Sequence, residues 1–154
     1  MKQVGPKSLT YQKNDEHYTP KWIFDALQVT FDLDVAAPIG GVEWIPANNI
    51  FTEKDDGLAK EWFGLVWMNP PYSQTTPWID KFLEHKNGIG LVPVTATRWF
   101  RKLWKEADSF LITDERIRFE RPGGSYKYII WETILVGCGE GSEILQNSGL
   151  GRMR

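Results

Sequence analysis

The sequence predicts one α/β domain with a mostly parallel sheet and a C-terminal antiparallel hairpin. Its 154 residues are enough for one hydrophobic core. Two nearly continuous apolar runs, FGLVWMN at 63–69 and GIGLVPV at 88–94, are typical of parallel strands buried on both faces. Helical patterns alternate with these strands, and this alternation favours right-handed connections between parallel strands.

The first predicted elements are a helix and a strand. Thr19 and Pro20 predict a helix start, because threonine can cap free N–H groups and proline suits the first helical position. One face of this helix carries Trp22, Ile23, Ala26 and Leu27. The segment FDLDVA at 31–36 predicts a strand, and a short strand is expected at 49–52.

Two further helices and a hairpin complete the predicted fold. Thr76-Pro77 predicts a helix that ends near Gly88, and TRWFRKLWKEA at 97–107 predicts the next. Strand-like runs at 109–120 and 126–137 flank a Pro-Gly-Gly turn and predict an antiparallel pair. We divide the chain into a flexible N-terminal segment at 1–16, a domain at 17–138 and a loose C-terminal tail at 139–154.

Composition argues against several classes of site. The single cysteine, Cys138, excludes an internal disulfide and a cysteine-built zinc site, and it suits a reducing cytoplasm. His17 and His85 are far apart in sequence, so we expect surface or capping histidines and no metal site. No apolar run reaches membrane length and no signal-peptide core is present, so we expect no membrane partner.

The segment Asn69-Pro70-Pro71-Tyr72 ends the first apolar run and is the strongest candidate for a catalytic site. In an open parallel sheet, ligands bind beyond the carboxyl ends of the strands. A residue before proline is restricted to extended geometry, so this turn is stiff. Proline has no N–H group, so acceptors dominate the local polar surface. The Asn69 side-chain oxygen and the Pro70 carbonyl could therefore point into one pocket, with the Tyr72 ring as its wall.

Two acceptors and an aromatic wall suit a planar amino group on a heterocycle. The lone pair of such an amine is delocalised into the ring, so the amine is a poor nucleophile. Acceptors that bind its two hydrogens localise the lone pair and stabilise the positive charge that develops on nitrogen during attack. Tyr72 would stack on the ring and fix its orientation. The alternative interpretation is a rigid turn without chemistry.

Asn-Pro-Pro-Tyr resembles the catalytic motif of amino-group methyltransferases that use S-adenosylmethionine, and further segments resemble the phage-type DNA N6-adenine methyltransferase family. These segments are YTP at 18–20, FDLDVAAP at 31–38, DDGL at 55–58, PWIDK at 77–81 and LVPVTATRWF at 91–100. The resemblance covers roughly residues 15–136. It implies a compact Rossmann-like methyltransferase fold, double-stranded DNA as substrate, and a phage or prophage protein in the host cytoplasm.

The resemblance also implies roles for individual residues. Asn69, Pro70, Pro71 and Tyr72 would form the catalytic site, and Asn69 would also lie near the cofactor. Tyr18, Thr19 and Pro20 would contact the methionine part of S-adenosylmethionine, and Asp34 would lie near its α-ammonium group. Asp55 and Asp56 are candidates for the adenine amino group of the cofactor, with Asp56 preferred. An ordinary turn is the alternative for both aspartates.

Two basic stretches are candidates for DNA contacts, although the net charge of −2 argues against binding by bulk charge. The first is the third predicted helix and the second is the predicted hairpin. Their candidate residues are Arg98, Arg101 and Lys102 in the helix and Arg116, Arg118 and Arg121 in the hairpin. We favour the hairpin; the alternative is a solvated surface. A homodimer could supply further DNA surface.

Other functions stay open at this point. Cytosine N4, RNA adenine or a protein glutamine amide would present the same amino group to the same acceptors. A regular Gly-x-Gly loop is absent after the first predicted strand, where Ala36-Ala37-Pro38 stands instead. This departure would suit a non-catalytic DNA-binding relative, whereas the intact Asn69–Tyr72 segment favours an adenine-specific DNA methyltransferase.

Overall fold

A mixed α/β architecture is present in the computed structural model, which describes residues 17–121, 126–127 and 132–154. The helices in these ranges are α1 (Lys21–Leu27), α2 (Thr76–His85), α3 (Arg98–Glu106) and α4 (Glu140–Asn147). The strands are β1 (Leu33–Asp34), β2 (Val66–Met68), β3 (Gly88–Pro93), β4 (Ser109–Thr113), β5 (Phe119–Glu120), β6 (Tyr126–Lys127), β7 (Thr133–Cys138) and β8 (Gly151–Met153). The predicted flexible segment at 1–16 lies outside the described residues.

The main sheet has the strand order β1-β2-β3-β7-β4-β8. The pairings β1–β2 and β2–β3 are parallel, whereas β3–β7, β7–β4 and β4–β8 are antiparallel. The expectation of a mostly parallel sheet is therefore wrong. The apolar runs could not determine the direction of the strands, because a strand buried on both faces is equally apolar in a parallel and in an antiparallel sheet.

The C-terminal hairpin is confirmed as a pairing but not in its position. β5 and β6 pair antiparallel, with Phe119 opposite Lys127, and form a small sheet of their own. β4 and β7 also pair antiparallel, with Leu111 opposite Leu135. β7 lies between β3 and β4, inside the main sheet and not at its edge. The predicted Pro-Gly-Gly turn lies outside the described residues.

Residues 139–154 are not a loose tail, which corrects that prediction. They form α4 and the strand β8, whose Met153 pairs with Leu111 of β4. α4 packs so closely on β3 that a Cβ atom at Gly141 would clash with the Gly88 carbonyl oxygen. Leu145 of α4 is buried in the core. The segment is short and weakly apolar, and its structure depends on these distant contacts.

The predicted helices are confirmed, with changes at their starts. Pro20 occupies the N-cap position of α1 and no side chain caps this helix, so the cap assigned to Thr19 is wrong. Trp22, expected on the core face of α1, is 39% exposed. At α3 the Thr97 hydroxyl accepts a hydrogen bond from the Phe100 N–H at 3.3 Å. The strand expected at 49–52 is reduced to an isolated bridge between Asp34 and Ile50.

Among the described residues, the core forms two clusters on opposite faces of the sheet. β2 contributes to both, because side chains alternate along a strand. Val66 and Met68 pack in the cluster that contains α2, and Trp67 packs in the cluster that contains α1. Trp67 therefore lies on the α1 face, and so does the side chain of its register partner Asp34. Within the described ranges, no helix has the length and apolarity needed to cross a bilayer.

Candidate active site

The Asn69–Tyr72 segment follows β2 directly, at the carboxyl end of the parallel strands. The turn uses two of its own carbonyl groups. The Pro71 carbonyl accepts a hydrogen bond from the Gln74 N–H at 3.1 Å, and the Tyr72 carbonyl accepts one from the Thr75 hydroxyl at 3.2 Å. Of the two proline carbonyls, the one at Pro70 is therefore the candidate acceptor for a ligand.

The Asn69 side chain is held in one orientation by residues that precede α1. Its amide nitrogen donates to the His17 carbonyl oxygen at 2.8 Å and to the Thr19 hydroxyl at 3.4 Å. A backbone carbonyl can only accept, so the amide nitrogen must face it. The Asn69 side-chain oxygen consequently points away from His17 and is presented as an acceptor.

Tyr72 is fixed by its hydroxyl and by two neighbouring rings. The hydroxyl donates to the Leu91 carbonyl oxygen at 3.1 Å. The His17 ring is stacked on Tyr72, with centroids 6.1 Å apart and planes 13° apart, and Phe119 contacts Tyr72 edge-on at 6.4 Å. Burial raises the pKa of the Tyr72 phenol far above its usual range. Tyr72 is therefore a neutral aromatic surface and cannot act as a base.

A pocket opens between the motif and the carboxyl end of β1. It is partly open to solvent, and its cavity volume is about 40 Å³. Its polar or aromatic lining residues are His17, Tyr18, Asp34, Trp67 and Asn69. The remaining lining residues are Ala36, Pro38, Val42, Ile45 and Pro71. We call this space the main pocket.

Asp34 is the acidic residue of the main pocket and is 3% exposed. Its side chain accepts a hydrogen bond from the Ala36 N–H at 3.2 Å. Burial raises the pKa of Asp34 to about 7, because the charged form loses hydration, and the hydrogen bond from Ala36 offsets only part of this effect. A cation in the pocket would favour the ionised carboxylate.

The three residues predicted at the start of α1 have different positions. Tyr18 lines the main pocket, and its backbone pairs with Glu120 through hydrogen bonds of 2.7 and 2.9 Å. Thr19 is fully buried, and its carbonyl accepts from the Trp44 indole N–H at 2.7 Å. Pro20 lines a separate outer groove. The structure therefore brings Tyr18 to the pocket and Thr19 to Asn69, but it does not bring Pro20 there.

Neither Asp55 nor Asp56 lines the main pocket. Asp55 accepts hydrogen bonds from the Thr52 N–H at 2.8 Å and the Thr52 hydroxyl at 3.2 Å, and the N–H bond is the main cause of its lowered pKa. Asp55 therefore stabilises an ordinary turn, which is the alternative interpretation given for it from the sequence. Asp56 has a left-handed backbone with φ of 58°, and among the described residues its buried Oδ1 atom has no hydrogen-bond partner.

Gly57 brings the Asp55–Gly57 turn close to β1. A Cβ atom at this position would clash with the Val35 carbonyl oxygen, so only glycine fits. Gly57 therefore lies against Val35, which directly precedes the pocket residue Ala36.

His17 is the site residue that sequence reasoning missed. The sequence suggests a surface or capping histidine, whereas His17 lines the main pocket and stacks on Tyr72. Its position directly before Tyr18-Thr19-Pro20 was the available signal. Trp44 was also missed, although its N–H positions Thr19. His85 does not line the main pocket, and its ring nitrogen is hydrogen-bonded to the Gly64 carbonyl oxygen at 2.7 Å.

The predicted DNA-binding side chains are all exposed: Arg98, Arg101, Lys102, Arg116, Arg118 and Arg121. Lys102 forms an ion pair with Asp80 at 2.9 Å, and Arg116 forms one with Glu132 at 3.3 Å. Arg116 and Arg118 line the outer groove together with Lys21 and the exposed Trp22. The helix and hairpin candidates are therefore separate surfaces, and of the two it is the hairpin residues that share a groove with an aromatic side chain.

A sequence profile of the DNA N-6-adenine-methyltransferase (Dam) family matches residues 7–133. The chain belongs to this family. A DNA N-6-adenine-methyltransferase of Haemophilus phage HP1 (strain HP1c1) is 31% identical over 113 residues, which are 66% of this chain and 64% of that protein. The chain thus spans slightly less than two thirds of the phage protein. No solved structure matches the chain.

Family membership confirms the resemblance on which the site residues were chosen. The matched residues 7–133 contain the Asn69–Tyr72 segment and every residue that lines the main pocket, whereas α4 and β8 lie beyond the match. In the part of the chain that the structure describes, no three His, Cys, Asp or Glu side chains are grouped so that they could hold a metal ion.

Proposed function

We propose that this protein transfers a methyl group from S-adenosylmethionine to N6 of an adenine flipped out of double-stranded DNA. The observation that carries the proposal is the Asn69 carboxamide, whose nitrogen is fixed by His17 and Thr19 so that its oxygen is presented beside the main pocket. Family membership supports adenine in DNA over cytosine, RNA or a protein amide.

Residues of the main pocket, together with Asp56 outside it, suit the groups of S-adenosylmethionine. Asp34 is a buried carboxylate suited to the α-ammonium group of the cofactor. The buried Oδ1 atom of Asp56 suits its adenine amino group, because an acceptor without a partner is costly until a donor arrives. Asp55 holds its turn, so we assign this role to Asp56 alone. Tyr18 remains a candidate for the methionine part. When bound, S-adenosylmethionine supplies an electrophilic methyl group.

Asn69 and Pro70 activate the amine of the target base in this proposal. The Asn69 side-chain oxygen and the Pro70 carbonyl accept hydrogen bonds from the two amino hydrogens. They localise the nitrogen lone pair and stabilise the positive charge that develops on nitrogen. The hydrogen bonds of the Asn69 amide nitrogen fix the orientation of its oxygen, which reduces the reorganisation needed during reaction. Tyr72 is neutral, and the methylated nitrogen is acidic enough to lose its proton without a strong base.

The flipped adenine stacks on Tyr72 in place of the His17 ring. The His17 ring is stacked on Tyr72, with centroids 6.1 Å apart and planes 13° apart. One aromatic ring would thus replace another, which limits the exposure of the Tyr72 face to water. Flipping the base costs a few kcal/mol, and contacts between the exposed arginines and DNA phosphates would offset this cost.

A Rossmann-like methyltransferase fold is part of the same proposal. It is supported by a pocket at the carboxyl ends of β1 and β2, the position of ligands in open α/β sheets. A homodimer and a location in the host cytoplasm remain predictions.

The test uses purified protein, isotope-labelled S-adenosylmethionine and unmethylated double-stranded DNA, followed by nucleoside digestion and mass spectrometry. We expect labelled N6-methyladenine with the wild type and at least about 10²-fold less with Asn69→Ala. Label found only in N4-methylcytosine, RNA or protein would contradict the proposed substrate. No transfer to any acceptor, with cofactor still bound, would support a non-catalytic relative.

A further inference from the structure

Trp67 lines the main pocket and has a buried indole N–H. Trp67 is 0% exposed and lines the pocket, and among the described residues its N–H has no hydrogen-bond acceptor. The ring is held by Phe24 at 4.8 Å and Phe31 at 5.6 Å, so it is not free to turn towards another partner. Buried donors are normally paired, and an unpaired one next to a pocket indicates a ligand acceptor.

Three other tryptophans differ from Trp67, either because their indole N–H has an acceptor or because they do not line the main pocket. The N–H of Trp44 donates to the Thr19 carbonyl at 2.7 Å, and that of Trp62 donates to the Gly57 carbonyl at 2.8 Å. Trp78 also has a buried N–H without a partner among the described residues, but it packs in the cluster on the opposite face of the sheet and does not line the main pocket. Trp67 combines the unpaired donor with the pocket.

The position of Trp67 indicates which ligand atom it meets. Trp67 and Asp34 are register partners on adjacent parallel strands, so their side chains lie side by side on one face. The proposed function places the α-ammonium group of the cofactor at Asp34, and the α-carboxylate is attached to the same carbon. No lysine or arginine of the described ranges lines the main pocket, whereas Trp67 beside Asp34 has an N–H donor without an acceptor among the described residues.

We propose that Trp67 is a cofactor-binding residue whose indole N–H donates a hydrogen bond to the α-carboxylate of S-adenosylmethionine, beside the ammonium site at Asp34. This inference rests on the proposed function. In this arrangement, the Asp34 carboxylate accepts from the ammonium group of the cofactor, and the Trp67 indole N–H donates to its carboxylate.

Calorimetry with S-adenosylhomocysteine and with its decarboxylated analogue tests the inference. Trp67→Phe keeps most of the aromatic surface and removes the donor, so we expect about tenfold weaker binding of S-adenosylhomocysteine. Binding of the decarboxylated analogue should change less than about twofold, because this ligand has no carboxylate for the donor to meet. Trp78→Phe removes the same group on the other face of the sheet and should bind both ligands as the wild type does.

Equal binding of S-adenosylhomocysteine by Trp67→Phe and wild type would overturn the inference, and so would an equal loss for both ligands. If the variant does not fold, the indole N–H resonance of Trp67 in ¹⁵N-labelled wild type decides. We expect a downfield shift with S-adenosylhomocysteine and none with the analogue; no shift with either would overturn the inference. A wild type that binds neither ligand would overturn the proposed function as well.

Discussion

The parallel and antiparallel halves of the main sheet differ in where their polar side chains lie and in whether these side chains are paired. In the parallel half, β1 and β2 place Asp34, Trp67 and Asn69 around a pocket, and the first two have buried polar atoms. In the antiparallel half, β7 contributes an apolar series with Ile134, Leu135 and Val136 buried. The buried Ser109 of β4 is paired with the Ser142 hydroxyl at 2.6 Å. The parallel half is organised around the main pocket and the antiparallel half around packing.

The direction of the strands explains this difference. Parallel strands all end at the same edge, where their following loops separate and leave a crevice. β7 runs antiparallel to both β3 and β4 and is hydrogen-bonded to one of them on each side. Substitutions in the parallel half should therefore affect binding and chemistry, and those in the antiparallel half should affect stability.

The largest effect is expected for Asn69→Ala. Removing a preorganised acceptor for the developing charge should lower the methylation rate by about 10²–10³-fold or more. Asn69 is half-buried, so the melting temperature should change little. Asn69→Asp keeps an acceptor oxygen and loses the donor to the His17 carbonyl, so it should retain more activity than alanine. Wild-type rates in Asn69→Ala would contradict the mechanism.

Leu135→Ala, in the antiparallel half, should lower the free energy of unfolding and leave ligand binding unchanged. Leu135 is fully buried, and such truncations cost about 2–5 kcal/mol of unfolding free energy. Urea denaturation measures this loss. Calorimetry on the protein that remains folded should give wild-type affinity for S-adenosylhomocysteine. A large loss of affinity without a loss of stability would show that the two halves are not separate in function.

Asp34→Asn should weaken binding and stabilise the free protein at pH 8. The pKa of Asp34 is about 7 in the folded protein and has an ordinary value of 3.8, so the folded state binds more protons between these pH values. The stability contributed by the neutral carboxyl is complete below about pH 4 and is lost as the pH rises through about 7. The asparagine side chain carries no charge, so the variant should gain roughly 2–4 kcal/mol at about pH 8 and almost nothing at about pH 4.

Thermal unfolding of wild type and Asp34→Asn at pH 4 and pH 8 measures this difference. In calorimetry, wild-type affinity for S-adenosylhomocysteine should rise as the pH increases from 6 to 8, since the carboxylate that meets the ammonium group becomes ionised. The variant should bind more weakly than wild type at pH 8, with a flatter pH dependence across this range. Equal stability of the two proteins at pH 8 would show that Asp34 is not buried as described.

Arg118→Ala should produce the smallest effect. Arg118 is exposed beside the outer groove, and loss of one phosphate contact should weaken DNA binding a few-fold and reduce the salt slope by about one. Arg152→Ala on β8 is a matched exposed arginine in the antiparallel half and should have no effect. Fluorescence anisotropy at several salt concentrations measures both. The opposite ranking would place the DNA against the antiparallel half of the main sheet, where Arg152 lies.

Local signals explain which features could be predicted from sequence. The apolar runs identified β2 and β3, and the Thr-Pro pair identified α2, because these patterns are contained within a few residues. The motif was found for the same reason. Strand order was not predictable, since it depends on where β7 packs. His17 contacts Asn69 through its backbone carbonyl, so no side-chain pattern could show that contact. β8 has only three residues, and its pairing with β4 decides its structure.

The most direct test of the account is a crystal structure with S-adenosylhomocysteine. We predict the ligand in the main pocket, with its ammonium group at Asp34, its carboxylate at the Trp67 indole N–H and its sulfur facing Asn69. A ligand bound elsewhere, with Asp34 and Trp67 unchanged, would contradict the assignment of the parallel half as the catalytic half of the molecule.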